Sequence, residues 1–137
     1  MHLIEQLKKN GSKITKARSL LIEILEKNHI PLTETEFRKN LSKSRVSINK
    51  TTIYRQLAYL KDKNMIKEVD FGDGKKRYEL NSKNHHHHLI CTNCNSIDEI
   101  RAKDDISYIE KKINKQKQFK VIDHSLEFFG LCQACNK

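Results

Sequence analysis

Apolar residues recur every three or four positions in four stretches of the first 60 residues, which predicts four amphipathic helices. Gly11 can end the first helix, because glycine readily takes the left-handed conformation at a helix C-terminus. Thr15 can cap the second helix, and the turn at residues 28–31 stops it. A Thr-x-x-Glu capping box at Thr33 opens the third helix, and the fourth starts near Asn49. The predicted buried stripes contain Leu3, Ile4, Leu7, Leu20, Leu21, Ile24, Leu25, Ile53, Leu57 and Leu60.

After the fourth helix the pattern becomes alternating. In MIKEVDFGDGKKRYEL, apolar and polar residues alternate on both sides of Gly72-Asp73-Gly74, a sequence that favours a tight turn between two strands. Three or four helices followed by a β-hairpin predict a winged helix-turn-helix domain over residues 1–81.

Residues 82–137 are predicted to form a second, smaller domain. We expect a strand near Ile97–Ile100, a helix from about Asp104 to Gln116 and a strand from Phe119 to Phe129. The expected fold class is therefore α+β, with an N-terminal winged helix-turn-helix and a small C-terminal α/β domain. With 36% hydrophobic residues, the chain can form only modest cores, so we expect help from a metal or a partner.

Charge is distributed unevenly between the two predicted domains. Residues 1–81 contain 18 Lys and Arg against 10 Asp and Glu, a net charge of +8, whereas residues 82–137 have a net charge of +2. A basic domain with a helix-turn-helix pattern is a candidate for binding double-stranded DNA. A lysine-rich sequence that is simply soluble is the alternative explanation of the charge alone.

The fourth helix is the expected reader of DNA. With its apolar stripe facing inward, its N-terminal end presents side chains to the major groove. Arg55 can contact a guanine or a phosphate, and Tyr54 can contact a thymine methyl group. An ordinary solvated helix face is the alternative. The candidate residues of this helix are Thr51, Thr52, Tyr54 and Arg55.

No apolar run approaches the roughly 18 residues of a membrane span, and the N-terminus lacks the continuous hydrophobic stretch of a signal peptide. We therefore expect a cytoplasmic protein with no membrane partner. In that reducing compartment, two Cys-x-x-Cys pairs are typical of thiolate metal ligands rather than disulfides. The pairs are separated by 37 residues, and together they predict one closed tetrahedral metal site formed by Cys91, Cys94, Cys132 and Cys135.

Four consecutive histidines precede the first cysteine pair. On an extended strand, successive side chains point to opposite faces, so His86 and His88 share one face while His85 and His87 share the other. One run can therefore supply two metal sites, and neutral imidazole suits zinc, iron, nickel, manganese and copper. A solvated polyhistidine tract is the alternative, but the adjoining cysteines favour metal binding.

Two other classes of protein are weighed against a DNA-binding regulator. A zinc hydrolase or deaminase needs an open coordination position with a general base, and the His-x-Glu with Pro-Cys-x-x-Cys pattern of deaminases is missing, so we expect no enzyme. A metal buffer or chaperone would explain the histidines and cysteines. It does not require a winged helix or a basic first domain.

The motifs GSKITKAR, TTIYRQLAYLKDKNMI, RYEL, HHHHLICTNC and DHSLEFFGLCQAC closely resemble those of the ferric uptake regulator family, in its order and spacing. The resemblance covers essentially the whole chain. It implies a winged-helix DNA-binding domain over 1–81 and a metal-binding dimerisation domain over 82–137. It also implies a homodimer that binds palindromic operators when a sensing metal is present, usually as a repressor.

The resemblance also implies roles for particular residues. It assigns structural zinc to the four cysteines. It assigns the sensing metal to Glu79, His86, His88 and Glu99, with His29 as a further ligand, although His29 lies two positions earlier relative to Thr33 than the family pattern. A further site matches His85, His87 and His124; its usual acidic position falls near Ser107, so Asp104 or Asp105 would have to substitute. Three residues match positions that contact DNA in the family. Lys13 matches a lysine that enters the minor groove, and Tyr54 and Arg55 match helix residues that contact the operator.

The identity of the sensed metal stays open among iron(II), zinc and manganese. Glu99 stands where peroxide-sensing relatives carry aspartate, which argues against a peroxide sensor. The unbroken histidine run favours zinc, whereas the carboxylates Glu79 and Glu99 favour a harder metal. Iron is preferred because it is the family's commonest role.

Overall fold

The computed structural model describes residues 2–81, 85–101 and 106–137. The chain divides into two compact units, residues 1–81 and 82–137. The first unit contains α1 (His2–Lys9), α2 (Lys16–Lys27), β1 (Leu32–Thr33), α3 (Glu34–Lys43), α4 (Lys50–Asp62), β2 (Ile66–Asp70) and β3 (Lys76–Leu80). The second contains β4 (His87–Cys91), β5 (Ile97–Ile100), α5 (Ser107–Lys117) and β6 (Glu127–Gly130).

Side chains cap the helices of the first unit where the sequence predicts them. Thr15 caps α2, and the Asn49 side chain at the start of α4 accepts from the backbone N–H of Thr52 at 2.8 Å. The predicted capping box of α3 is confirmed. The Thr33 N–H donates to the Glu36 carboxylate at 2.7 Å, and the Glu36 N–H donates back to the Thr33 hydroxyl at 3.3 Å. These bonds satisfy N–H groups that a helix leaves unpaired in its first turn.

The buried apolar residues of the first unit form one hydrophobic core. Helices α1 to α4 pack their apolar stripes against each other and against an antiparallel sheet of order β1-β3-β2. The two-residue strand β1 was not predicted from the sequence; it pairs Leu32 with Tyr78 of β3. The buried core consists of Leu7, Leu21, Ile22, Leu25, Leu32, Phe37, Leu41, Ile53, Leu57, Leu60, Met65, Ile66 and Tyr78.

Strands β2 and β3 form the predicted wing. Gly72 and Gly74 both have positive φ, 80° and 76°, the conformation that glycine adopts without strain. Behind the turn, the Arg77 guanidinium donates to both carboxylate oxygens of Asp73 at 3.0 and 2.9 Å. This bidentate pair lowers the pKa of Asp73 to about 2.

The second unit is built on a small mixed sheet of order β5-β4-β6. Strand β4 runs antiparallel to β5 and parallel to β6. The predicted long strand from Phe119 to Phe129 was wrong, because only Glu127–Gly130 is a strand. In the preceding segment Ile122 is 91% exposed, and the Asp123 side chain accepts the backbone N–H of His124 at 2.8 Å, a local bond that competes with sheet pairing.

Within the part of the chain that the structure describes, no helix combines the length and the apolar character that crossing a bilayer requires.

Candidate metal centres and nucleic-acid interface

The four cysteines converge in the second unit. Cys91 ends β4, Cys94 lies in the turn that follows, and Cys132 and Cys135 lie on a turn after β6. Their sulfur atoms all lie within 4.8 Å of one another, and Cys94 Sγ is 3.7 Å from Cys132 Sγ. A tetrahedron with zinc–sulfur bonds of about 2.3 Å has edges of about 3.8 Å. The sulfur positions therefore suit a tetrahedral zinc ion.

Backbone N–H groups favour the thiolate form of two of these cysteines, Cys91 and Cys132. The N–H groups of Cys94 and Cys132 point at Cys91 Sγ, at 3.5 and 3.4 Å, and they lower the pKa of Cys91 to about 6. The backbone N–H of Cys135 likewise lowers the pKa of Cys132. Thiolate, rather than thiol, is the form that binds metal. All four cysteines are free rather than disulfide-bonded.

The even-numbered histidines form a second donor group within the second unit. The rings of His86 and His88 lie 4.9 Å apart, and His88 is opposite Glu99 in the β4–β5 register. His86 Nε2 is 3.9 Å from a Glu99 carboxylate oxygen. Two imidazoles and a carboxylate on one sheet face are a donor set for a divalent transition metal.

Two further predicted sensing ligands belong to the first unit. Glu79 is buried on β3, and its carboxylate lies 3.3 Å from Lys67 Nζ. His29 is exposed in the bend after α2.

The odd-numbered histidines form a third group, which contains a residue that the sequence reasoning missed. The rings of His85 and His87 lie 4.6 Å apart, and His124 Nε2 is 3.2 Å from His85 Nε2. His124 Nδ1 contacts the Glu110 carboxylate at 2.9 Å. The predicted acid, Asp104, lies outside the described residues. The signal for Glu110 was helical periodicity, because it lies one turn beyond Ser107 on the same helix face.

Helix α4 presents the predicted DNA-contacting residues as its packing requires. Leu57 and the other apolar residues of its stripe are buried, whereas Thr51, Tyr54 and Arg55 are exposed and Thr52 is half-buried. Lys13 is exposed in the segment between α1 and α2. The N-terminal half of α4 therefore offers hydroxyl groups, an aromatic ring and a guanidinium to a ligand.

The sequence model of the ferric uptake regulator family matches residues 9–129. The chain belongs to this family. The ferric uptake regulation protein of Bacillus subtilis (strain 168) is 33% identical to it over 136 residues, covering 96% of this chain and 91% of the relative. The peroxide-responsive repressor PerR of Staphylococcus aureus (strain USA300) is 31% identical over 132 residues, covering 96% of this chain and 88% of the relative.

A solved structure from the family has the same fold. The Helicobacter pylori ferric uptake regulator, described as having three functional metal binding sites, superposes with a TM-score of 0.78 at 29% sequence identity. The similarity covers 99% of this chain and 90% of that one.

Proposed function

We propose that this chain is a metal-responsive transcriptional regulator that binds double-stranded DNA. The observation that carries the proposal is that one chain combines an exposed, basic helix-turn-helix with separate thiolate and imidazole donor groups. A metal buffer would not need the first, and a constitutive DNA-binding protein would not need the second. The role is regulatory rather than catalytic, and the proposed location is the cytoplasm.

The thiolate group is assigned to structural zinc, because sulfur ligands at tetrahedral spacing form closed zinc sites. The regulatory metal is assigned to His86, His88 and Glu99, with Glu79 and His29 as ligands from the first unit. Iron(II) is the first candidate, followed by zinc and manganese. A mixed set of imidazoles and carboxylates binds all three metals, so the donors alone do not choose among them.

A third metal position is proposed at His85, His87 and His124, with Glu110 as its acidic ligand in place of Asp104. Support comes from the 2.9 Å contact between Glu110 and His124 and from the three functional metal sites of the Helicobacter pylori relative.

The active form is proposed to be a homodimer that binds palindromic operators, usually as a repressor. The second unit exposes a large amount of apolar surface, and β6 is an edge strand of its sheet. Exposed apolar edges favour pairing with a second copy, and a two-fold dimer matches a palindromic site. The exposed apolar side chains are Ile100, Tyr108, Ile109, Phe119, Ile122, Phe128, Phe129 and Leu131.

The test starts from untagged protein, whose metal content is measured after purification. Iron(II), manganese and zinc are then titrated separately, with and without peroxide, while binding to a duplex selected from a random-sequence library is followed. Metal-dependent binding by a dimer that retains about one zinc per chain is expected. Binding that peroxide abolishes would favour a peroxide-responsive regulator. Metal uptake with no DNA affinity under any condition would favour a metal buffer and contradict the proposal.

A further inference from the structure

Arg18 is a buried arginine whose guanidinium is hydrogen-bonded to neutral groups and stacked on an aromatic ring. It lies in the first turn of α2 and is only 8% exposed. Its Nε donates to the Gln56 side-chain oxygen at 2.8 Å, and its Nη1 donates to the backbone carbonyl of Lys13. Its guanidinium carbon lies 3.6 Å from the ring centroid of Tyr59. Among the residues that the structure describes, no carboxylate forms an ion pair with this guanidinium.

These contacts join two parts of the first unit that are far apart in sequence. Gln56 and Tyr59 belong to α4, whereas Lys13 lies in the segment between α1 and α2. A second link reinforces the first, because the Tyr59 hydroxyl and the Ser12 hydroxyl are 2.6 Å apart. Arg18 and Tyr59 therefore hold residues 12–13 against the helix that carries Tyr54 and Arg55.

A role limited to stability does not explain the choice of arginine here. Burying a cation without an anionic partner is costly, and an apolar side chain of similar length would fill the same space with less loss of hydration. The planar guanidinium instead offers several donors in a fixed fork and a face that stacks on an aromatic ring. A lysine could not make all three contacts.

We propose that Arg18 is a positioning residue that fixes Lys13 at a set distance from the DNA-contacting side of α4. The inference rests on the proposed DNA-binding function. Holding the segment in place before binding removes the entropy cost of ordering it on the duplex. It also lets Lys13 and Arg55 contact one duplex in a single register. Because the buried guanidinium is itself cationic, it adds positive potential where a phosphate approaches.

The test is a double-mutant cycle with Arg18→Lys and Lys13→Ala, using the selected duplex and metal-loaded protein. Arg18→Lys keeps the charge but removes the fork. Each single variant is expected to weaken binding by about tenfold, and the double variant by no more than either single one. In both single variants the slope of log affinity against log salt concentration should become shallower by about one, because the Lys13 ammonium no longer neutralises a phosphate. Arg18→Lys should show this change although it removes no charge.

The control is Arg38→Lys, which changes the same residue type on α3, where an exposed Arg38 pairs with the buried Glu34; it should leave affinity and salt slope unchanged. If Arg18→Lys does not fold, Tyr59→Phe tests the same link through Ser12. It should reduce the affinity and make the salt slope shallower in protein that carries Lys13, but should change neither in Lys13→Ala. Independent, additive reductions in affinity or an unchanged salt slope would overturn the inference. Wild-type protein that binds no DNA with any metal would overturn the proposed function instead.

Discussion

Removing one thiolate is predicted to unfold the second unit while the first stays folded. Cys91 is the most central cysteine, because it is buried and accepts N–H groups from both Cys-x-x-Cys turns. The change Cys91→Ser replaces its thiolate with a much weaker zinc ligand. The expected results are loss of the zinc ion and loss of protection throughout β4 and β5.

The size of the expected loss of stability follows from the topology and from the small core of this unit. The Cys-x-x-Cys pairs are 37 residues apart, and a cross-link that closes a loop of this length contributes about 4 kcal/mol of chain entropy. Among the described residues of the second unit, only His87, His88 and Cys91 are buried. Structural zinc contributes about 10–16 kcal/mol of binding free energy in small domains, which is as large as the 5–15 kcal/mol typical of a whole protein's stability.

Hydrogen exchange read by mass spectrometry provides the assay, with zinc content measured on the same samples. Peptides from β4 and β5 should exchange at nearly the unfolded rate in Cys91→Ser, whereas α4 should keep wild-type protection because its core lies in the first unit. The control Thr92→Val alters the neighbouring turn residue and should keep the zinc. A zinc-free Cys91→Ser protein with wild-type protection in β4 and β5 would refute the reasoning.

Two other predictions concern the first unit. Arg55→Ala should weaken binding to the selected duplex by about 1–3 kcal/mol and relax sequence preference, measured by competition with random DNA; equal weakening on both duplexes would show that Arg55 contacts only phosphate. Asp73→Asn removes the wing ion pair. Because Arg77 lowers the folded-state pKa of Asp73 from 3.8 to about 2, the pair stabilises the wing above about pH 4, and this stabilisation is lost as the pH falls toward 2. The urea unfolding midpoints of wild-type protein and Asp73→Asn should therefore differ near neutral pH and converge by about pH 2. A difference that stays constant with pH would contradict this.

Local signals predicted most of the first unit. Three features depend only on residues within four positions of one another and can therefore be predicted from the local sequence. They are the capping box at Thr33, the cap at Asn49 and the positive-φ glycines of the wing. Strand β1 could not be predicted in this way. It has only two residues and exists because β3 offers Leu32 and Thr33 a partner about 45 positions later.

The second unit was harder to predict because its structure depends on distant partners. Alternation along a strand correctly paired His86 with His88 and His85 with His87, since period two is a local property. The Glu110 contact with His124 bridges α5 and the segment before β6, so no pattern among neighbouring residues indicates it. The apolar residues at 119–122 led to the prediction of a strand, but this segment is not a strand, and Phe119 and Ile122 are 60% and 91% exposed.

A metal bound by the even-numbered histidines is proposed to control DNA binding. The most direct measurement is fluorescence anisotropy of the selected duplex during metal titration of His86→Ala, His88→Ala, His85→Ala and His87→Ala, with sedimentation confirming a zinc-containing dimer in each case. We predict that His86→Ala and His88→Ala remain dimeric but lose the metal-dependent rise in affinity, while His85→Ala and His87→Ala retain it. Full metal response in the even-numbered variants with loss in the odd-numbered ones would contradict the account and assign sensing to the His85, His87, His124 and Glu110 group.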